Sequence, residues 1–142
     1  MFHRFGTQRQ AEIGLAILRV VTGIVFAAHG YMKFSGMGIG GTTGFFSQLG
    51  IPLPGIMAPF IATLELVGGT ALALGLLTRV FATLLICDMA GAIVFFHAKN
   101  GFFLPTGIEF VLMLMVSSMA HALAGARTLS LDSMFGRSSE RP

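Results

Sequence analysis

IGLAILRVVTGIVFAAHGYMKF, residues 13–34, is apolar enough and long enough to cross a bilayer as one helix, yet it holds Arg19 and His29. A hydrocarbon core of roughly 30 Å takes about 20 helical residues. Three further stretches, 59–77, 80–96 and 107–126, read the same way, and each also contains ionisable residues: Glu65, Asp88, and Glu109 with His121. Charge at that depth is costly unless paired or wetted, so these six residues are candidates for function. The expected fold is all-α: an integral membrane four-helix bundle, with residues 1–142 forming a single membrane domain.

Composition points the same way. Hydrophobic residues make up 54% of the 142 and charged ones 11%, with a mean hydropathy of +0.83. Soluble globular chains carry about 25% charged residues. Four spans and their connections use nearly the whole chain, so any extramembrane catalytic domain must come from a partner. The net charge of +3 is scattered over helix ends and forms no patch, which excludes nucleic acid as a partner. Arg4, Arg9, Arg79, Arg127, Arg137 and Arg141 fall on one side of the expected bundle, against Lys33 and Lys99 on the other. That asymmetry predicts that the N- and C-termini are both cytoplasmic. The first span is too long for a signal peptide and carries Arg19, so it reads as an uncleaved helix in a bacterial plasma (inner) membrane.

Several tempting readings fail. The single Cys87 cannot form an intrachain disulfide or a C-x-x-C redox pair. Gly36, Gly38 and Gly41 satisfy G-x-G-x-x-G literally, but a membrane helix precedes them where a dinucleotide fold needs a strand. The glycine run reads instead as a mobile hinge. His29, His97 and His121 lie at different depths, which disfavours a bis-histidine haem. Met113, Met115 and Met119 are packing residues, and no metal site is expected.

The connections predict further pieces. Thr78-Arg79 alone separates the second and third spans, implying a tight hairpin. In the first external loop, 35–58, Phe45, Phe46 and Leu49 share one face of a short interfacial helix, placed to lie in the interface or close over the bundle as a lid. The segment 129–135 reads as a second surface-lying piece, followed by a polar tail over 136–142.

Depth divides the buried charges. At 1.5 Å per residue, His29 lies roughly 7–8 Å and Glu65 roughly 9 Å from the outer ends of their spans. Glu109 enters just beneath the same surface, and Lys33, His97 and Lys99 cap it. An outward-facing polar pocket of His29, Lys33, Glu65 and Glu109 is therefore the candidate substrate-binding site, an imidazole beside carboxylates being equipped to accept and release protons. Nearer the cytoplasm, Arg19 and Asp88 are expected to form a structural ion pair. Gly23 and Gly30 share a face with Arg19, and Gly68, Gly69 and Gly75 flank that of Glu65, so helices should approach closely on the charged side.

At these residues the chain resembles the DoxX family of small four-helix bacterial membrane proteins, from Leu15 to about Phe135. The resemblance is carried by Arg19-Val20-Val21-Thr22-Gly23-Ile24-Val25-Phe26 leading to His29-Gly30-Tyr31-Met32-Lys33-Phe34, and by Leu49-Gly50-Ile51-Pro52. It continues in Glu65-Leu66-Val67-Gly68-Gly69-Thr70-Ala71-Leu72 running to Leu76-Leu77-Thr78-Arg79, in Gly107-Ile108-Glu109, and in Leu129-Ser130-Leu131-Asp132. The family includes the DoxD subunit of archaeal thiosulfate:quinone oxidoreductase. The resemblance implies an oxidoreductase subunit linked to quinone or thiol stress, with Arg19, His29, Glu65 and Glu109 matching the recurrent polar signature. No intrinsic cofactor is evident, and quinone is the ligand class it suggests. Expected partners are the lipid bilayer, a soluble or membrane redox protein, and further copies of the chain. The opposing expectation is a non-enzymatic membrane anchor or small-solute carrier whose charges only hold the helices together.

Overall fold

The computed structural model describes residues 7–136. Arg4, Arg137, Arg141 and the tail beyond Gly136 lie outside the described residues. Thr7 starts the first helix with a capping box: its Oγ1 accepts from the Gln10 N–H at 3.3 Å, and Gln10 Oε1 accepts from the Thr7 N–H at 2.6 Å. That reciprocal pair satisfies two donors a helix start otherwise leaves open. Helix α1 then runs over Gln8–Ser35. It is followed by α2 (Gly38–Gln48), α3 (Pro54–Leu74), α4 (Thr78–Asn100), α5 (Glu109–Ala124) and the short α6 (Leu131–Gly136).

Helices α1, α3 and α4 are long and apolar enough to cross a membrane, while the apolar α5 has 16 residues. At 1.5 Å per residue α5 reaches about 24 Å, so the span expected over 107–126 is shorter than drawn. The second span begins earlier than expected, because Pro54 occupies the first turn of α3, a position where its missing N–H costs nothing. It also ends earlier. Gly75 takes φ 70°, the left-handed conformation that stops a helix, and the hairpin turn is Gly75–Leu77 while Thr78 already begins α4.

The four long elements form a closed ring: α1 packs on α3, α4 on α5, and the α3–α4 and α1–α5 contacts complete it. One end of this bundle carries the start of α1 and the segment after α5; it is called the terminus end below, and the other the loop end. Phe26, Leu64, Leu72, Ala82, Leu85, Met89, Val111 and Leu114 fill the interior. The outside is equally apolar. Ile17, Ile24, Val67, Val94, Met113 and Leu123 are all more than half exposed, the surface expected of a protein whose solvent is lipid.

The first connection corrects one expectation. Gly36 caps the end of α1 and Gly38, at φ 69°, makes a tight turn, but Gly40 and Gly41 are taken up in α2, and the run is not a hinge. Helix α2 folds back onto α1 and α3, burying Thr42 and Phe46. Phe45 reaches the edge of Phe96 on α4 with ring centroids 5.5 Å apart. No strand accompanies the G-x-G-x-x-G match among the described residues.

Helices α1 and α3 touch through backbone. A Cβ built on Gly23 would stand 2.5 Å from the Gly69 carbonyl oxygen, and one on Gly30 would stand 2.8 Å from that of Ala62. In a bilayer, where no hydrophobic effect drives helices together, such close approach provides the packing energy. Gly14 faces open space. Gly23→Leu should therefore lower unfolding stability in detergent by about 1–3 kcal/mol or abolish folding, while Gly14→Leu leaves the melting temperature essentially unchanged; equal effects from the two would show that the contact is not close.

Candidate functional site

The loop-side half of the bundle holds a buried charge cluster. Lys33, in the last turn of α1, turns its ammonium to the Glu65 carboxylate of α3 and donates a hydrogen bond to it. The Lys33 side chain is 18% exposed and that of Glu65 5%. Glu65 sits in a π-helical turn, Leu64–Gly68, inside α3. Such turns widen the helix by one residue and recur at functional sites. This one faces α1 where Gly30 lets the two backbones meet. Helix α2 is seated on the same spot: Thr42 Oγ1 donates to the Lys33 carbonyl oxygen at 3.3 Å.

Asp88 of α4 completes the cluster. The Glu65 carboxyl lies within hydrogen-bonding reach of its own and Lys33 within electrostatic reach; with both acids ionised, the buried Asp88 Oδ2 meets no donor. Two acids and one base share the site, so neutrality requires one more positive charge: a proton or a cationic ligand. A carboxyl group in that position can take up and release a proton as its surroundings change.

Of the four expected pocket residues, the structure joins Lys33 and Glu65. His29 is exposed, its Nδ1 is 2.8 Å from the Val25 carbonyl oxygen, and its ring packs against Phe110 with centroids 5.9 Å apart. Depth matches Glu65 but facing does not. At about 100° per residue, His29 is turned about 100° from Gly30, the point of contact with α3, whereas Lys33 is turned about 60° and has a longer reach. Glu109 accepts from the Leu104 N–H at 2.6 Å, fastening the loop before α5. His97 likewise engages its own loop, with Nδ1 2.7 Å from the Thr106 carbonyl oxygen.

The expected Arg19–Asp88 pair does not form. Asp88 stands ten residues along α4 from Thr78, about 15 Å from the terminus end, and is turned to Glu65. Arg19 is engaged by the chain that folds beneath the bundle after α5. Its guanidinium donates to the Thr128 carbonyl oxygen at 3.3 Å and that of Leu129 at 2.5 Å. Thr128 Oγ1 in turn donates to Glu12 at 2.5 Å.

Asp132, two residues into this returning segment's last helix, accepts from the Leu77 N–H at 2.8 Å and the Thr78 N–H at 3.0 Å. It thus caps α4 from a distant part of the chain, and it also holds Leu77 at the positive φ of 46° that the turn requires. The motif Leu129-Ser130-Leu131-Asp132 marks this segment in the sequence, but neither the capping by Asp132 nor the contact of Thr128 has a local signal there. Higher on the same side, Thr22 and Ser117 bond across the α1–α5 interface at 2.7 Å. His121, without a role in the sequence reading, is buried beside Arg19.

A groove of about 400 Å³ at the terminus end is lined by residues including Leu77, Arg79, Val80, Gly125 and Asp132. Cys87 is a free, exposed thiol on α4. No group of three or more His, Cys, Asp or Glu placed to hold a metal occurs among the described residues.

A family model, DoxX, matches residues 14–98, a range that contains all of Lys33, Glu65 and Asp88. The chain is 43% identical over 121 residues to "Putative oxidoreductase CatD" of Bacillus subtilis (strain 168), covering 85% of this chain and 86% of that one. It is 43% identical over 77 residues to "Uncharacterized membrane protein Rv3486" of Mycobacterium tuberculosis, covering 54% and 47%. It is 34% identical over 71 residues to "Inner membrane protein YqjF" of Escherichia coli (strain K12), covering 50% and 52%. No solved structure matches the chain. With its apolar helices and membrane-protein relatives, the chain is a multi-pass protein of a bacterial membrane.

The two-acid, one-base arrangement gives an asymmetric expectation. Lys33→Met strands two carboxylates without a counter-charge and should cost about 3–5 kcal/mol of stability. Glu65→Gln leaves Lys33 to Asp88 and should cost less. Thermal unfolding of the two variants in the same detergent checks the order, and its reversal would remove Asp88 from the cluster.

Proposed function

This chain belongs to the DoxX family, and from that premise we propose that it is the membrane subunit of a redox system, supplying protons at Glu65 and Asp88 with Lys33 as their counter-charge. The observation that carries the reading is the pair of carboxyl groups of Asp88 and Glu65, close enough to share a hydrogen bond and faced by the single ammonium of Lys33. The oxidoreductase name of the Bacillus relative supports the class of reaction. With one cysteine in the chain, electrons come from a partner protein or a reduced thiol, and a membrane quinone takes two electrons and two protons to become the quinol. The carboxyl groups of Glu65 and Asp88 relay those protons one at a time, and Lys33 keeps whichever carboxylate is ionised from standing unpaired in the apolar interior.

Four helices cross the membrane in this reading, α5 being the fourth, and both termini face the cytoplasm. Arg9, Arg79 and Arg127 at the terminus end against Lys33 and Lys99 at the loop end support that orientation. The second reading, an anchor or small-solute carrier, draws on one observation: the Lys33–Glu65 pair ties α1 to α3 and is useful as scaffolding alone.

Two measurements test these statements. In membranes of a deletion strain complemented with equal amounts of each protein, Glu65→Gln and Asp88→Asn should lower quinone-dependent oxidation by about 10²-fold. An unchanged rate at equal protein level would favour the scaffolding reading. In a Cys87→Ser background, Lys99→Cys should react with an impermeant maleimide applied to intact cells whose outer membrane has been permeabilised, and Arg127→Cys should not; the opposite labelling would invert the topology.

A further inference from the structure

At the terminus end, three polar atoms are buried without a hydrogen-bond partner, Thr78 Oγ1, Arg19 Nε and His121 Nε2, and the last two belong together. Arg19 is 2% exposed and His121 1%. Both line one small void of about 10 Å³, together with Glu12, Ala16 and Thr128. Arg19 Nε–H can only donate, and an imidazole nitrogen can accept. Leaving both unmade would cost the desolvation of each group, and a void of this size accommodates a single water molecule.

We propose that this void is a hydration site in which one ordered water accepts from Arg19 Nε–H and donates to His121 Nε2. The occupant is neutral because the guanidinium charge is already met. Arg19 donates to the Thr128 and Leu129 carbonyl oxygens and lies near the Asp132 carboxylate. The other charged groups around the void are Glu12 on α1, itself bonded to Thr128, and Arg127 after α5. The volume excludes anything much larger than water.

The site brings the terminus-end aqueous phase into contact with a histidine enclosed by protein, and hydration stops there. Beyond it, Thr22 and Ser117 satisfy one another at 2.7 Å and Ser118 donates to the Leu114 carbonyl oxygen at 2.8 Å. Next comes an apolar layer of Phe26, Leu72, Leu85 and Leu114. His121 thus exchanges with the terminus side only, and the Lys33, Glu65 and Asp88 cluster beyond that layer is not wetted through it. This inference holds whether or not the cluster serves a redox reaction.

Water-edited solid-state NMR of the full chain, with 15N-labelled histidine, in liposomes tests it. His3, His29 and His97 are assigned by single His→Gln variants and His121 by elimination. His121 is expected to receive magnetisation from water as readily as the half-buried His97 near the loop-side end of α4. Ala16→Leu, which fills the void, is expected to remove the transfer to His121 and leave that to His97. A dry His121 in the unmodified protein overturns the proposal, as does a His121 that stays wet in Ala16→Leu. Should Ala16→Leu not fold, the unmodified protein decides alone.

Discussion

Backbone contact between α1 and α3 is the constraint on which both polar centres depend. Where Gly23 meets Gly69 and Gly30 meets Ala62, the helices approach more closely than any side chain allows. That approach sets Lys33 beside Glu65 toward the loop end. At the other end it brings Arg19 against Gly75, where an added Cβ would lie 3.0 Å from the guanidinium carbon. Gly75 therefore serves two purposes: its positive φ ends α3, and its missing side chain leaves room for Arg19 and the returning chain at Ser130. A glycine interface in this protein is also the device that aligns charge.

The interior is layered along the bundle axis. Arg19, Thr22, Thr78, Ser117, Ser118 and His121 form a polar layer at the terminus end; Phe26, Leu72, Leu85 and Leu114 follow; Lys33, Glu65 and Asp88 lie beyond. The two charged centres are handled differently. Arg19 is neutralised by carbonyl oxygens and the nearby Asp132 carboxylate, a rigid arrangement that staples the segment after α5 beneath the bundle and caps α4. The loop-side cluster holds more acid than base and sets the Asp88 and Glu65 carboxyls side by side, the less stable arrangement unless a proton or cation joins them. An apolar septum thus separates the contacts of Arg19 from the acid-rich cluster.

Facing at interhelical distances was the part of the site hardest to read from residues alone. Depth along a helix follows from counting, and it placed His29 level with Glu65. Which helix lies next to which does not follow from counting: depth alone pairs Asp88 with Arg19, whereas its neighbours are Glu65 and Lys33. Similarly, Glu109 belongs at the loop-end surface, as its position predicted, but its carboxylate is taken by the Leu104 N–H of its own loop. The π turn at Leu64–Gly68 leaves no signature in the hydrophobic pattern, yet it helps direct Glu65 inward.

By itself the sequence determined the all-helical membrane class, the glycine faces that bring helices together, a helix in the first loop, and the family, because span length, apolar composition and motif order are local properties. Tertiary structure alone decided the charge pairing. Whether a buried lysine, arginine or histidine meets a carboxylate, a carbonyl oxygen or a void depends on helix neighbours and on a chain that returns more than one hundred residues later to Arg19, and neither is written in the periodicity of any one span.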